Sequence, residues 1–329
     1  MTRPAHRNRW RWSGLAGLVA LVGCATQQVA PCWDGLAYVA MGPGKAVSVL
    51  DLGAGRVLGS LPLSVEPHGV ALIPNGRRLV AADLTKGEDL EVLDATTGSF
   101  VGRVRVGKGG HHLRLSPDGR WLYVTRSEVG RVAVVDVQSL RVVADIETGA
   151  GANYAVFSPD GRAAYVSNME ANDVAAIDVT TGQITGRIPV KEGPGHMAVS
   201  PDGRRLYVAN EKSGTLAAVD LTRREVLRTV RAGHEPHGVA LSLDGTRIYV
   251  SSHEDGTVSA VDAGPMKVVQ TVNVGTEPEH VEITPDGRWI VVARPEAGEL
   301  VVLDAKSLAT VRKIAVGAEP HQMVFAPAR

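Results

Sequence analysis

The sequence predicts an all-β protein, a seven-bladed β-propeller, and three features predict it. A Pro-Asp-Gly triplet or its remnant falls at Pro74, Pro117, Pro159, Pro201, Leu243, Pro285 and Pro327, at steps of 43, 42, 42, 42, 42 and 42 residues. Each period holds four short apolar stretches separated by turn residues. The two ends of the array are complementary fragments instead of whole copies. Four strands in a unit of this length, repeated radially, make a propeller blade.

The elements follow in chain order. Arg3, Arg7, Arg9 and Arg11 precede the apolar run Leu15 to Gly23, which stops at Cys24. This is a basic segment followed by a hydrophobic one too short to span a bilayer as a helix. The ending Leu21-Val22-Gly23-Cys24 resembles the lipobox of bacterial lipoproteins, which implies cleavage before Cys24 and lipidation of that cysteine. An ordinary secreted protein and a retained amino-terminal anchor are the alternatives. Residues 1–23 are then a lipoprotein signal peptide, 24–35 a lipidated tether and 36–329 the propeller. Ala25 in place of an acidic residue implies outer-membrane sorting in the enterobacterial pattern. The expected location is the periplasmic side of a bacterial cell envelope, with membrane contact through the lipid only. With Cys24 acylated, Cys32 is the remaining thiol, an incidental tether residue or a redox group, and no internal disulfide holds the fold.

Thirty-five basic and 35 acidic side chains cancel over the chain, and loss of the four leader arginines makes the remainder mildly acidic. There is no basic block or zinc-finger spacing, which argues against nucleic-acid binding. After the leader, the length suits one large all-β domain.

Within a period, stretches such as His111 to Ser116, Trp121 to Arg126, Val132 to Asp136 and Val142 to Glu147 are rich in branched residues and lack helical periodicity, so they predict strands. The pairs Asp118-Gly119, Asp160-Gly161, Asp202-Gly203, Asp244-Gly245 and Asp286-Gly287, with Asn75-Gly76, supply the backbone conformations of tight hairpins. One aspartate per copy, Asp51, Asp94, Asp136, Asp178, Asp220, Asp262 and Asp304, closes the third strand. Their regular repetition points to turn formation, not carboxylate catalysis. A stacked solenoid would need atypical end caps. Here the chain enters on a second-strand type, Ala37-Tyr38-Val39-Ala40, and leaves on a first-strand type, His321 to Phe325. A three-plus-one closure, with His321 to Phe325 joining three strands from Leu36 to Leu63, completes the last blade and removes an exposed edge.

The segments Leu122-Tyr123-Val124-Thr125, Ala164-Tyr165-Val166-Ser167-Asn168, Leu206-Tyr207-Val208-Ala209-Asn210 and Ile248-Tyr249-Val250-Ser251 resemble the YVTN-type β-propeller repeat family, over Leu36 to Pro327. The resemblance implies the fold, with the pre-turn strand innermost. It implies no single activity, because relatives include exported binding proteins, surface-layer proteins and distant haem-carrying or lyase propellers.

Six residues before each triplet or its remnant stand His68, His111, Asn153, Gly195, His237, Glu279 and His321, at the start of the inner strands near the channel mouth. The next position holds Gly69, His112, Tyr154, His196, Gly238, His280 and Gln322. Seven of the ten histidines therefore occupy one level of the array. Three roles are open: packing against a neighbouring blade, contact with a ligand over the channel, and ligation of a metal or haem iron. Period-two alternation expects His111 and His112 to face opposite ways, so that not all seven converge. Opposite sides of a seven-bladed channel are expected to lie too far apart for one metal, which leaves neighbouring pairs such as His68 with His111 or His321 with His68. Arg126, Arg294, Asn168 and Asn210 follow at the far end of the second strands. Hairpin symmetry expects Arg126 beside His111 and Arg294 beside Glu279, as an anion site or as local charge neutralisation. No hydrolase, nucleotide-binding or covalent-haem motif is present.

The sequence thus supports a lipid-anchored binding module that takes a small molecule or an envelope protein on its upper face, as a monomeric domain. A cofactor-handling protein or enzyme of haem, metal or lyase type is the first alternative, and a structural envelope scaffold the second. No particular cofactor is indicated.

Overall fold

The computed structural model describes residues 35–73, 76–83 and 88–326. The expected signal peptide, Cys24, Cys32, Pro74 and Asn75, residues 84–87 and the Pro327 remnant lie outside them. Seven four-stranded antiparallel sheets form the propeller, and six follow chain order. They are numbered here as blades 1 to 6 from Pro67. In the seventh, the inner strand Pro320–Phe325 pairs with Leu36–Met41, followed by Ala46–Asp51 and Arg56–Pro62. The three-plus-one closure is therefore observed. Among the described residues the one helical element is a 3-10 turn, Ser127–Val129, and no helix is long and apolar enough to cross a membrane.

The core lies between blades. Its buried apolar residues fall into seven clusters, each joining two adjacent sheets: Val80 and Val92 with Leu113, Val124 and Val135, for example, bind blade 1 to blade 2. Second and third strands are covered on both faces, which explains why Leu79 to Ala82 and Val132 to Val135 are unbroken apolar runs. Outer strands have one protected side at most. Val142, Val143, Val226 and Leu227 are exposed there.

The repeated polar residues serve this frame. Asp118 accepts from Ser116 Oγ at 2.5 Å and from Arg120 N at 3.1 Å, fastening the hairpin turn. Asp51, Asp94, Asp136, Asp178, Asp220, Asp262 and Asp304 each accept a backbone N–H two or three residues ahead. Tyr249 donates its hydroxyl to Ala305 O of the next blade at 2.7 Å.

Gln322 of the closing strand reaches farther. It is 2% exposed, its Oε1 accepts from Val70 N at 3.2 Å and from Leu113 N at 3.4 Å, and its Nε2 donates to Leu113 O at 2.9 Å. One amide thus ties blade 7 to blades 1 and 2. Gln322→Ala is expected to cost about 1–3 kcal/mol, because buried backbone groups lose their partner. A lower denaturant midpoint with an unchanged m-value checks this.

A convergent histidine cluster at the channel mouth

The inner strands carry a bulge at their upper ends. In blade 2, Gly110 pairs with Arg126 but Leu113 pairs with Val124, so His111 and His112 together oppose Thr125. Blades 3, 4, 5 and 7 repeat the shift, between Ala152 and Ala155, Pro194 and Met197, Pro236 and Val239, and Pro320 and Met323. A bulge sets two residues against one and suspends the alternation of side chains. The expectation that His111 and His112 face opposite ways is thereby corrected. Their Nδ1 atoms lie 2.8 Å apart, both beside Asn153 O. Hydroxyls support the bulge: Thr125 Oγ1 accepts from His112 N at 3.0 Å and donates to Asn153 O of the next blade at 2.7 Å. Ser251 accepts from Gly238 N and donates to Glu279 O in the same manner. At Gly238 a Cβ would lie 2.4 Å from Glu279 O, so this close approach of two inner strands excludes a side chain.

All seven histidines meet. The His68 ring lies 4.6 Å from those of His111 and His321, 4.9 Å from His112 and 5.7 Å from His280. His196 lies 4.9 Å from His112 and 4.7 Å from both His237 and His280. The expectation that opposite blades stand too far apart is also corrected. His112 and His280 belong to blades 2 and 6, as distant as a seven-membered ring permits, yet their Nε2 atoms are 3.5 Å apart. The second position of the pair supplies His112, His196 and His280, and the first supplies His68. His68, His112, His196 and His280 are buried, while His111, His237 and His321 form a partly exposed layer above them.

Carboxylates occupy the rim. Glu211 Oε1 is 3.3 Å from His237 Nδ1, and Glu279 Oε2 is 3.3 Å from His321 Nδ1. His253 Nδ1 pairs with Glu235 at 3.2 Å, and its Nε2 stands 4.0 Å from Glu279. Beyond them opens an acidic recess of about 680 Å³, lined by Glu235, Glu254, Asp255, Glu277 and Glu296. Below the histidines the channel is plugged. Tyr154 stacks on His196 at 4.1 Å, its hydroxyl takes a hydrogen bond from half-buried Arg114, and Arg114 lies 4.0 Å from Glu282 across the channel. Burial pushes Tyr154 up to about 12. A separate cavity of about 280 Å³ lies on the lower side of this plug.

The hub is tuned toward neutral imidazole. Burial first, then repulsion among the rings, hold His68, His112, His196 and His280 well below the ordinary histidine value. Burial also lowers His111, against the opposing hydrogen bond to Asn153 O. His237 differs: burial works downward, but the Glu211 carboxylate beside it, with Glu279 and Glu235, turns the net shift upward. Two buried nitrogens, His68 Nδ1 and His196 Nε2, have no hydrogen-bond partner.

Arg126, Arg294, Asn168 and Asn210 point elsewhere. Arg126 donates to Lys108 O and pairs with Asp145 at 2.9 Å. Arg294 bonds Thr276 O and Glu299, so the expected approaches to His111 and Glu279 are replaced by contacts within the blade and its leading loop. Asn168 donates to Thr148 O and Asp173, and Asn210 to Thr215. The histidines flagged in sequence, His68, His111, His237, His280 and His321, are brought together, joined by His112 and His196. Glu211 is a rim residue that the sequence does not single out as a histidine partner. It follows Asn210 in a short turn whose acidic content suits solvent equally well, so no local signal distinguishes it.

Three groups place ligand-type atoms within 4.8 Å of one another: His68, His112 and His280; His196, His237 and His280; and Glu279, His280 and His321. A tetrahedral ion with bonds of about 2.0–2.1 Å holds its ligand atoms about 3.3–3.4 Å apart. The 3.5 Å between His112 and His280 is already close to that edge.

Comparison with known proteins agrees with the fold. Residues 118–247 match the YNCE-like β-propeller family, and residues 247–324 match the cytochrome D1 heme domain. Each match spans less than half of the 329 residues, and both place the chain among the β-propellers. No curated protein matches the sequence. Among solved structures, the chain is similar to the periplasmic gluconolactonase PpgL of Pseudomonas aeruginosa, with 23% identity, coverage of 89% of this chain and 99% of that one, and a TM-score of 0.73. It is similar to the dihydro-heme d1 dehydrogenase NirN in complex with DHE, with 19% identity, coverage of 89% and 75%, and a TM-score of 0.69. Hydrazine synthase of Kuenenia stuttgartiensis gives 18% identity, coverage of 88% and 100%, and a TM-score of 0.71. At these identities the likeness is one of fold alone.

Proposed function

We propose that this chain is a metal-binding β-propeller whose upper channel mouth holds a first-row transition-metal ion among histidines of several blades. The observation that carries the reading is the meeting of buried, neutral imidazoles across the full width of the ring, with His112 Nε2 and His280 Nε2 3.5 Å apart. Packing alone would favour apolar side chains here. Unpaired buried nitrogens such as His68 Nδ1 and His196 Nε2 cost about 1–3 kcal/mol each, and an ion relieves that cost. Imidazole-rich, thiol-free sites suit zinc, copper, nickel or iron. Glu211 on His237 Nδ1 and Glu279 on His321 Nδ1 act as outer partners that orient a ring and leave its Nε2 for an ion. The acidic recess beside the rim raises the local concentration of cations. A small anion or solvent molecule from the upper face completes the coordination, which is how this module would bind a small ligand.

The proposal includes location. A lipid on Cys24 would tether the YVTN-type propeller to the periplasmic side of the envelope, where the site meets external metal and envelope partners.

Elemental analysis of the full chain purified from its native envelope tests the reading. The expected result is stoichiometric copper, zinc, nickel or iron, lost in His112→Ala and in His280→Ala while circular dichroism still reports a β-fold. Protein free of metal that also fails to take up Zn²⁺ or Cu²⁺ at micromolar concentration would leave the histidines as packing residues.

The match of residues 247–324 to the cytochrome D1 heme domain favours a second reading, haem iron ligated by one imidazole. Contacting rings with centroids 4.1–5.8 Å apart admit no macrocycle between them. A haem would have to lie on the solvent side, against His111, His237 or His321. A visible spectrum of the same preparation separates the two readings, since a Soret band belongs to the haem alone.

A further inference from the structure

We propose that the cluster binds two metal ions, one on the His68–His112 side and one on the His196–His237 side, with His280 shared between them; this rests on the metal reading above.

One four-coordinate ion uses at most four ligands, which would leave at least three of the seven imidazoles without metal in the hub. The geometry divides the rings instead. Two all-histidine groups, His68 with His112 and His196 with His237, have His280 as their common member. Each contains its own unpartnered buried nitrogen, His68 Nδ1 in the first and His196 Nε2 in the second. Both residues are more than nine-tenths buried, at 8% and 2% exposure. A single ion on either side satisfies one of these atoms and strands the other. Two ions satisfy both.

His280 serves both ions through its two ring nitrogens. A neutral imidazole carries one N–H, so the bridging form arises when that proton leaves to solvent and the freed nitrogen pair binds the second ion. No electron is transferred and no co-reactant is needed. On the first side His111 is stacked on His68 at 4.6 Å and His321 tilted against it at 4.6 Å, rings available to complete that sphere, and a solvent molecule completes the second.

The experiment is a titration of the metal-free full chain with Zn²⁺, counted by native mass spectrometry and followed by proton release in weakly buffered solution near pH 7.5. The expected result is two tightly held equivalents, with extra proton release accompanying the second. His68→Ala and His237→Ala are each expected to retain one equivalent, and His280→Gln to lose the extra proton release. His253→Ala, in the lining of the outer recess, combined with His234→Ala, whose Nδ1 lies 2.8 Å from Asp255 of that recess, is expected to leave the count at two. A wild-type chain that saturates at one ion overturns this inference and leaves the metal reading standing. A count that falls to one in the His234 and His253 variant also overturns it, because the second ion then belongs to the recess. Failure to bind any ion overturns both. The wild-type count decides the matter even if a variant does not fold.

Discussion

Removal of residues 320–329 is expected to abolish the cooperative thermal transition of this protein. The deleted strand Pro320–Phe325 is the inner strand of blade 7, paired along Leu36–Met41. Met323 is buried in the cluster between blades 6 and 7, and Val324 packs into the cluster between blades 7 and 1. Burial of a large apolar side chain contributes about 1.5–3 kcal/mol. Met323, Val324 and Phe325 together therefore supply several kcal/mol. Loss of the Gln322 amide leaves Val70 N and Leu113 N and O without their partner. The sum is comparable to the whole stability of an ordinary domain, about 5–15 kcal/mol. Deletion also opens the ring by exposing an edge on Leu36–Met41, a ready template for aggregation. Calorimetry is expected to show no sharp endotherm, and a synthetic peptide of residues 318–326 to restore one when added in excess. A truncated chain that melts within a few degrees of the intact protein would mean that closure contributes little.

The second large effect is acid sensitivity of the metal-free form. His68, His112, His196 and His280 have folded values well below the unfolded value of about 6.5. Below pH 6.5 the unfolded chain takes up protons at these positions while the folded chain resists them. Stability then rises with pH, and is lost as pH falls from 6.5 toward the folded values. At pH 5 each histidine that stays neutral in the fold lowers stability by about 2 kcal/mol, and four lower it by about 8 kcal/mol at most. His111 acts in the same direction. His237, raised in the fold, acts in the opposite one: its contribution is present below 6.5 and fades as pH rises through its folded value. Four or five histidines against one leave a net loss in acid. Denaturant midpoints measured with chelator at pH 7.5, 6.5, 5.8 and 5.0 are expected to fall steeply below 6.5, and His112→Asn combined with His280→Asn to flatten that slope. A flat profile from pH 7.5 to 5.0 would show that the hub admits protons freely.

Metal and acid act on the same nitrogens. Saturation with Zn²⁺ is therefore expected to move the onset of acid unfolding to lower pH, since deprotonated ligands are what the ion binds.

The amino-acid sequence specifies the blade count, the four-strand unit, the hairpin turns and the closure. These follow from a strict period, from Asp-Gly pairs and from complementary ends, all local in the chain. It also placed His68, His111, His237, His280 and His321 at one level of the ring. What that level is depends on three-dimensional contacts. Alternation predicts opposed faces for His111 and His112 because a regular strand has a period of two, and nothing in the letters marks the extra residue that the bulge inserts opposite Thr125. Channel width was equally illegible. It depends on how closely seven inner strands pack, which Gly238 permits at one junction by presenting no Cβ to Glu279 O. Arg126 and Arg294 looked like site residues by register, yet side-chain length let them reach Asp145 and Glu299 instead. A repeat dictates where residues recur around an axis, whereas convergence on that axis depends on backbone bulges and on contacts between residues far apart in the chain, among them His112 with His280, His68 with His321 and Gln322 with Leu113.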